Sequence, residues 1–339
     1  MRAFRVMTVT LAGVAVLAPV AACSSGSGGG TPSAPQAATS EAATPTPTPQ
    51  PEHPFTGRPT AARKPVLAVK IENTAAGKPQ IGVSSADIVY VEQVEGGLTR
   101  LMAIFSSKLP AKVGPVRSAR ISDLHILPQF GKPALAYSGV QTKMIPFVQE
   151  ASLFDVSDSA AGSAYNREPG RSAPYNLVAN PRQLLRQAPK ATKADDVGYT
   201  FADEAPEGGA ERKAFKVRYP AATFDFRWDD AQKRWLIWQD GKKDMGAEGR
   251  QLGAPTVVVQ YAKTTRSQFH DFTGSYTPLI QTTGKGRAVV LRDGKAYKAR
   301  WSREAEEKGT TFTTEAGEPL PFARGQVWVV IAAPKPVQP

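Results

Sequence analysis

Residues 86–105 read ADIVYVEQVEGGLTRLMAIF. Ala86–Glu92 and Leu101–Phe105 are short, continuous apolar runs, the pattern of strands buried on both faces. Glu95-Gly96-Gly97 supplies the turn between them. Working outward, Val66–Ile71 (VLAVKI) repeats the pattern and Ala134–Tyr137 (ALAY) gives a fourth strand. Ile121, Leu124 and Leu127 recur every three residues and mark a helix. Asn180-Pro181 opens a second helix through Gln187, with a cap residue followed by a first-turn proline. Strands interleaved with helices predict an α/β domain over residues 65–207.

The chain beyond 207 has a different texture. Phe224, Phe226 and Trp228 alternate with polar residues, and Asp229–Lys233 turns the chain into Trp235–Trp238. Thr256–Tyr261 is a further strand. Arg287–Leu291 and Lys295–Trp301 flank Asp293-Gly294, a strong hairpin signal, and Val327–Ile331 is the last strand. No helix longer than two turns is expected after Ala214, so residues 208–339 read as a mostly antiparallel β domain. The fold class is α+β. The five tryptophans (228, 235, 238, 301 and 328) read as core and strand pairing rather than as a sugar platform.

The first 23 residues set the location. Arg2 and Arg5 precede an apolar run, Val6–Val20, that is too short and too rich in small residues to span a bilayer. It ends in Val20-Ala21-Ala22-Cys23, which looks like a bacterial lipobox, with residues 1–22 as the signal peptide and Cys23 as the acylated first residue. An ordinary secretory signal with an incidental cysteine is the alternative. From Ser24 to Lys64 the chain is Ser, Gly, Thr and Pro with almost no large apolar residue, so residues 23–64 are expected to form a lipidated, disordered tether. The protein is then a lipoprotein on the extracytoplasmic face of the cell membrane. A single cysteine excludes an internal disulfide and an iron–sulfur cluster, and only three histidines are present, so no metal or cofactor is expected. Net charge is +1 over 65–207 and +8 over 208–339. A basic extracytoplasmic domain meets anionic lipids, wall polymers or envelope proteins, and no nucleic acid partner is expected.

Candidate binding residues cluster in the first half. In Val113–Asp123 (VGPVRSARISD), Gly-Pro makes a turn, Ser118 is a candidate helix cap, and Arg117 and Arg120 share one face of the first helical turn beside Asp123. Guanidinium forks beside a helix start suit a phosphate or carboxylate. Arg100 begins a strand and can join them. Asn166, Arg167, Arg171 and Asn176 form a second polar cluster in a loop. The structural alternative is that Arg117 or Arg120 braces the fold by pairing with Asp123 or Glu92.

The segments Val69–Asn73, Ala86–Tyr90, Glu95–Arg100 and Val113–Arg120 resemble the YerB family of bacterial lipoproteins. The similarity continues through Ala136–Gly139, Arg171–Leu177, Val289–Lys295, Ala299–Ser302 and Gly325–Trp328. It departs at Tyr175, where family members often carry His. The family is a domain of unknown function with N- and C-terminal halves, so the resemblance implies architecture and an envelope location, and no activity.

Common serine and zinc hydrolase signatures are absent, and no cysteine remains for catalysis once Cys23 is acylated. Carboxylate chemistry is the remaining enzymatic option, with Glu72, Glu92 and Glu95 as acid/base candidates for a glycan-cleaving enzyme. The reading adopted is a binding protein rather than an enzyme, with no catalytic residue assigned. Its expected ligand is an anionic or polar envelope component: a wall polymer, a glycan, a phosphorylated lipid or a partner protein. A purely structural interaction module is the other alternative.

Overall fold

The computed structural model describes residues 51–334. Cys23, the signal segment and residues 24–50 of the expected tether lie outside them. The three founding strands form as read: β1 is Leu67–Glu72, β2 is Ile88–Gln93 and β3 is Thr99–Phe105. β3 lies between the other two and runs antiparallel to both. Alternation then sorts the side chains. Leu67, Val69, Ile71, Val89, Val91 and Leu101 join one core, while Ala68, Ile88, Tyr90, Met102 and Ile104 join another on the opposite face.

Three short helices accompany these strands: α1 (Ile121–Ile126), α2 (Ile145–Glu150) and α3 (Pro181–Gln187). Asn180 caps α3 as expected, its side chain accepting from the backbone N–H groups of Arg182 and Gln183 at 3.1 Å each. With helices of only six or seven residues, the first half is a mixed sheet with helical connections rather than a full α/β layer. Ala134–Ala136 (β4) pairs with β1 in parallel, and Phe154–Asp155 (β5) extends that edge.

The halves do not form two separate bodies. Strand Val327–Ala332 inserts between β2 and Thr256–Tyr261, parallel to both. Gly284–Arg292, Lys295–Arg303 and Thr311–Thr314 continue that edge, so one eleven-stranded sheet contains strands from both halves. The expected boundary at 207/208 therefore runs through one shared sheet. The Asp293-Gly294 hairpin is present, with φ of +51° and +72° at its two turn residues.

A second, five-stranded sheet built on Ala214–Tyr219, Ala222–Asp229 and Arg234–Gln239 seals one face through Phe224, Phe226, Trp235 and Ile237. The other face is covered by α1, by α2 and by a hairpin of Thr264–His270 with Tyr276–Ile280. Trp235, Trp301 and Trp328 are buried in the core, and Trp228 and Trp238 are half-buried.

Residues 51–64 correct the tether's expected end. Glu52 bridges Pro59, and Phe55 is fully buried, edge-on to His53 at 5.3 Å and to Phe130 at 5.4 Å. The folded body thus begins near Pro51, because one aromatic side chain gives this Pro-rich segment enough apolar area to dock. Phe55→Ala should cost about 3–5 kcal/mol of stability in denaturant unfolding. An unchanged midpoint would return residues 51–64 to the tether.

Candidate functional site

Register places the charges. Glu72 in β1 and Glu92 in β2 both lie opposite Arg100 in β3. The sheet face that is apolar at Ala68, Tyr90 and Met102 thus turns ionic at its last row, with one guanidinium between two carboxylates. One step back along β1, Lys70 is fully buried and reaches Glu92 Oε1 at 3.0 Å and Asp123 Oδ1, from α1, at 2.5 Å. Asp123 Oδ2 accepts the backbone N–H of Arg120 at 2.6 Å and so caps the helix itself.

The helix-start geometry is corrected by this arrangement. Ser118 is not the cap, and Arg117 and Arg120 precede α1 in extended backbone instead of sharing its first turn. The stretch runs beside the end of β1, with Arg117 N–H donating to Lys70 O at 2.9 Å and Glu72 N–H to Pro115 O at 2.9 Å. That position gives the arginines partners other than those expected. Arg117 Nε pairs with Glu72 Oε2 at 2.7 Å and Arg120 Nε pairs with Glu95 Oε1 at 2.6 Å. Glu95 is also held by the Thr277 hydroxyl, from the hairpin after Lys263. Arg100 donates to Ser118 O at 3.2 Å and lies close enough to Arg120 and Arg117 to feel their charge.

Protonation follows from these contacts. Burial opposes charge on Glu72, but Arg100, hydrogen bonds from Thr74 and Arg117 outweigh it and hold the carboxyl below its ordinary range. Glu95 is likewise held low against burial by Arg120 and Thr277. Glu92 goes the other way: burial first, then the Asp123 charge, push it up to about 8, and its Oε2 has no hydrogen-bond partner among the described residues. Arg100 is brought down to about 10 by burial and by the nearby Arg120 and Arg117.

The second polar cluster only partly joins the first. Arg171 donates to Pro79 O at 2.7 Å and to Gly77 O at 3.3 Å, pinning the loop after β1. Arg117 stacks over the Tyr175 ring at 5.5 Å, which links this loop to Glu72. Arg167 bonds Asn176 Oδ1 at 2.7 Å, Asn176 bonds Arg171 O at 3.1 Å, and Asn166 is exposed on a short strand. Asn166 and Arg167 make no hydrogen bond or ion pair with the Ser118 cluster. Beside that cluster opens a cleft of about 470 Å³, lined by Glu95, Ser118, Arg120, Phe269, Asp271 and Thr277. Lys70 and Thr277 were not singled out from sequence. Lys70 is the one charge inside the apolar run VLAVKI, a signal that could have marked it, whereas nothing local marked Thr277.

Residues 55–195 match the protein of unknown function (DUF3048) N-terminal domain, and residues 215–329 match its C-terminal domain. The chain belongs to the DUF3048 family. A Bacillus subtilis (strain 168) protein described as "Putative lipoprotein YerB" is 25% identical over 306 residues, 82% of this chain and 85% of that one. The crystal structure of YerB protein from Bacillus subtilis matches with a TM-score of 0.70 at 21% identity, covering 83% of this chain and 96% of that chain. In this DUF3048 chain the two family domains share the central sheet through Val327–Ala332. Among the described residues no helix is long and apolar enough to cross a membrane.

The raised Glu92 fixes the sign of one pH effect. Folding binds a proton between its ordinary 4.5 and about 8, so its contribution to stability is largest at low pH and is lost as pH rises through that window. Glu92→Gln, which keeps the neutral shape, should show a flatter fall of melting temperature from pH 5 to 8 than the parent. Parallel curves for parent and variant would place the proton elsewhere.

Proposed function

We propose that this is a lipid-anchored envelope protein that binds an anionic or polar envelope ligand at Arg117 and Arg120, beside Arg100. The anchor reading rests on the lipobox ending at Cys23 and on the description of the Bacillus relative as a lipoprotein. Acyl chains on Cys23 hold the body at the extracytoplasmic face, each buried methylene contributing about 0.8 kcal/mol.

The observation that carries the binding reading is the set of donors left over after the ion pairs form. Glu72 takes only Nε of Arg117; Glu95 takes Nε of Arg120, whose Nη1 bonds Ala119 O at 2.9 Å. Both Nη groups of Arg117 and Nη2 of Arg120 have no protein acceptor among the described residues. The carboxylates thus act as positioning groups, gripping one edge of each guanidinium while the other edge stays available. The side chains are 21% and 13% exposed, enough for a ligand to reach them. Phosphate and carboxylate groups of wall polymers, glycans or phosphorylated lipids match such forks.

A scaffold role is favoured by one specific feature, the fully buried Lys70–Glu92–Asp123 triad, which needs neighbouring charges simply to be tolerated. The glycan-cleaving alternative draws less support. Glu72 and Glu95 are both held ionised, and Glu92, the one proton-bearing candidate, is sealed from solvent.

Two measurements test the reading. Cys23→Ala should lose fatty-acid labelling in growing cells, and equal labelling of variant and parent removes the anchor. Arg117→Gln with Arg120→Gln should weaken binding of polyglycerol phosphate at least tenfold, since charge-assisted hydrogen bonds contribute about 1.5–3 kcal/mol each. A parent that gains no thermal stability from the polymer, together with a ligand-independent collapse of the double variant, assigns both arginines to the scaffold.

A further inference from the structure

The opposite end of the central strands carries a different arrangement of charge. β2, Val327–Ala332 and Thr256–Tyr261 are neighbours and parallel, so their starts lie side by side. The residues just before them, Ser84–Asp87, Arg324–Gln326 and Pro255, line a cleft of about 400 Å³. Ser107 and Lys108, which follow antiparallel β3, reach the same end, as do Thr56 and Arg58 from the docked N-terminal segment. The turn Gln232-Lys233-Arg234 of the second sheet closes the remaining wall. Both family domains contribute to it.

Its electrostatics are unbalanced. Among the described residues Arg58, Lys108, Lys233 and Arg234 form no ion pair with any carboxylate. Arg324 is already matched by Glu52 and Asp203 and is left out of the count. Asp87 is the one carboxylate in the lining, and it is buried and turned inward to the N–H groups of Ser106 and Ser107, at 2.7 and 2.8 Å, and to the Ser107 hydroxyl. Arg234 is half-buried, its Nε is a buried donor without an acceptor, and only its other end is used, by Gly253 O. Burial, then the like charges of Arg250 and Arg58, lower its proton affinity, and no anion opposes them. Gly325, at φ +128°, gives Arg58 its place: a Cβ there would stand 3.0 Å from Arg58 Nη2. The hydroxyls of Ser84 and Ser85 make no hydrogen bond among the described residues and add neutral donors to the same lining.

We infer that this cleft is an anion site separate from the Ser118 cluster, built for a small ligand with two or more negative charges of the pyrophosphate or phosphate-ester class. Four cations approach from three chain segments, which suits an oxyanion with donors on several sides better than a single planar carboxylate. A concave lining also favours a discrete head group over a flat bilayer surface.

Isothermal titration calorimetry of the full-length protein in detergent micelles tests this with inorganic pyrophosphate. The triple variant Arg58→Gln, Lys108→Gln, Lys233→Gln changes only exposed side chains and should keep the parent's melting temperature. It should bind pyrophosphate about a hundredfold more weakly, with Arg234→Gln giving a further loss. The Arg117→Gln, Arg120→Gln variant should bind as the parent does, which separates this site from the Ser118 cluster. Phosphatidylglycerol vesicles form the second arm. Absence of pyrophosphate binding to the parent, equal binding by the triple variant, or binding to vesicles alone would each overturn the assignment.

Discussion

The structure depends on where Val327–Ala332 lies. All six residues are buried, and the strand donates and accepts along both of its edges, to β2 on one side and to Thr256–Tyr261 on the other. Without it, β2 would expose an open edge of Ile, Val, Tyr and Val, the kind of flat apolar edge that recruits other chains. The insertion joins segments about 240 residues apart in sequence and makes one core out of two family domains. It also places Trp328 against the face sealed by the second sheet and Val329 against the helical face, so one strand serves both cores.

A sheet fixed in this way has two ends with different chemistry. At the end where β1 and β2 finish, ions are buried in matched sets: Lys70 with Glu92 and Asp123, Arg117 with Glu72, Arg120 with Glu95. Desolvating so many charges is costly, and burial together with the Asp123 charge raises the proton affinity of one carboxyl, Glu92. The consequence is positional. Glu72 and Glu95 each hold the Nε edge of one guanidinium, Ala119 O holds a second donor of Arg120 and Ser118 O holds Arg100, so these groups are fixed before any ligand arrives.

Much of this was legible in the sequence, and the failures have physical causes. Buried-strand runs such as VLAVKI and ADIVYVE were readable because apolar continuity is a local property. Which strands become neighbours is not local, so the pairing of β2 with Val327–Ala332 had no signature. The hairpin around Phe269 has no local signature because Thr264–His270 is polar with one buried residue, and Pro278 interrupts its partner strand. Pro51–Lys64 was taken into the tether because composition outweighed a single Phe55. At the site, the sequence brought Arg117 and Arg120 together with Arg100 as a residue able to join them, but it did not give their partners. Helical spacing pointed to Asp123 and Glu92, whereas an extended Pro115–Ala119 lying along β1 brings Glu72 and Glu95 instead.

The charge count by halves also misled in an instructive way. It placed the cationic character in residues 208–339, yet the unmatched cations of the second cleft come from both sides of the chain: Arg58 and Lys108 from one, Lys233 and Arg234 from the other. Folding, not composition, concentrates them. The two clefts sit at opposite ends of strands six residues long, roughly 20 Å apart at about 3.3 Å per residue. That distance exceeds the screening length of about 8 Å at physiological ionic strength, so exposed charges at one end are largely screened from those at the other. β2 is the element that spans both ends, since Asp87 precedes it at the cationic cleft and Glu92 lies near its end in the Lys70 triad.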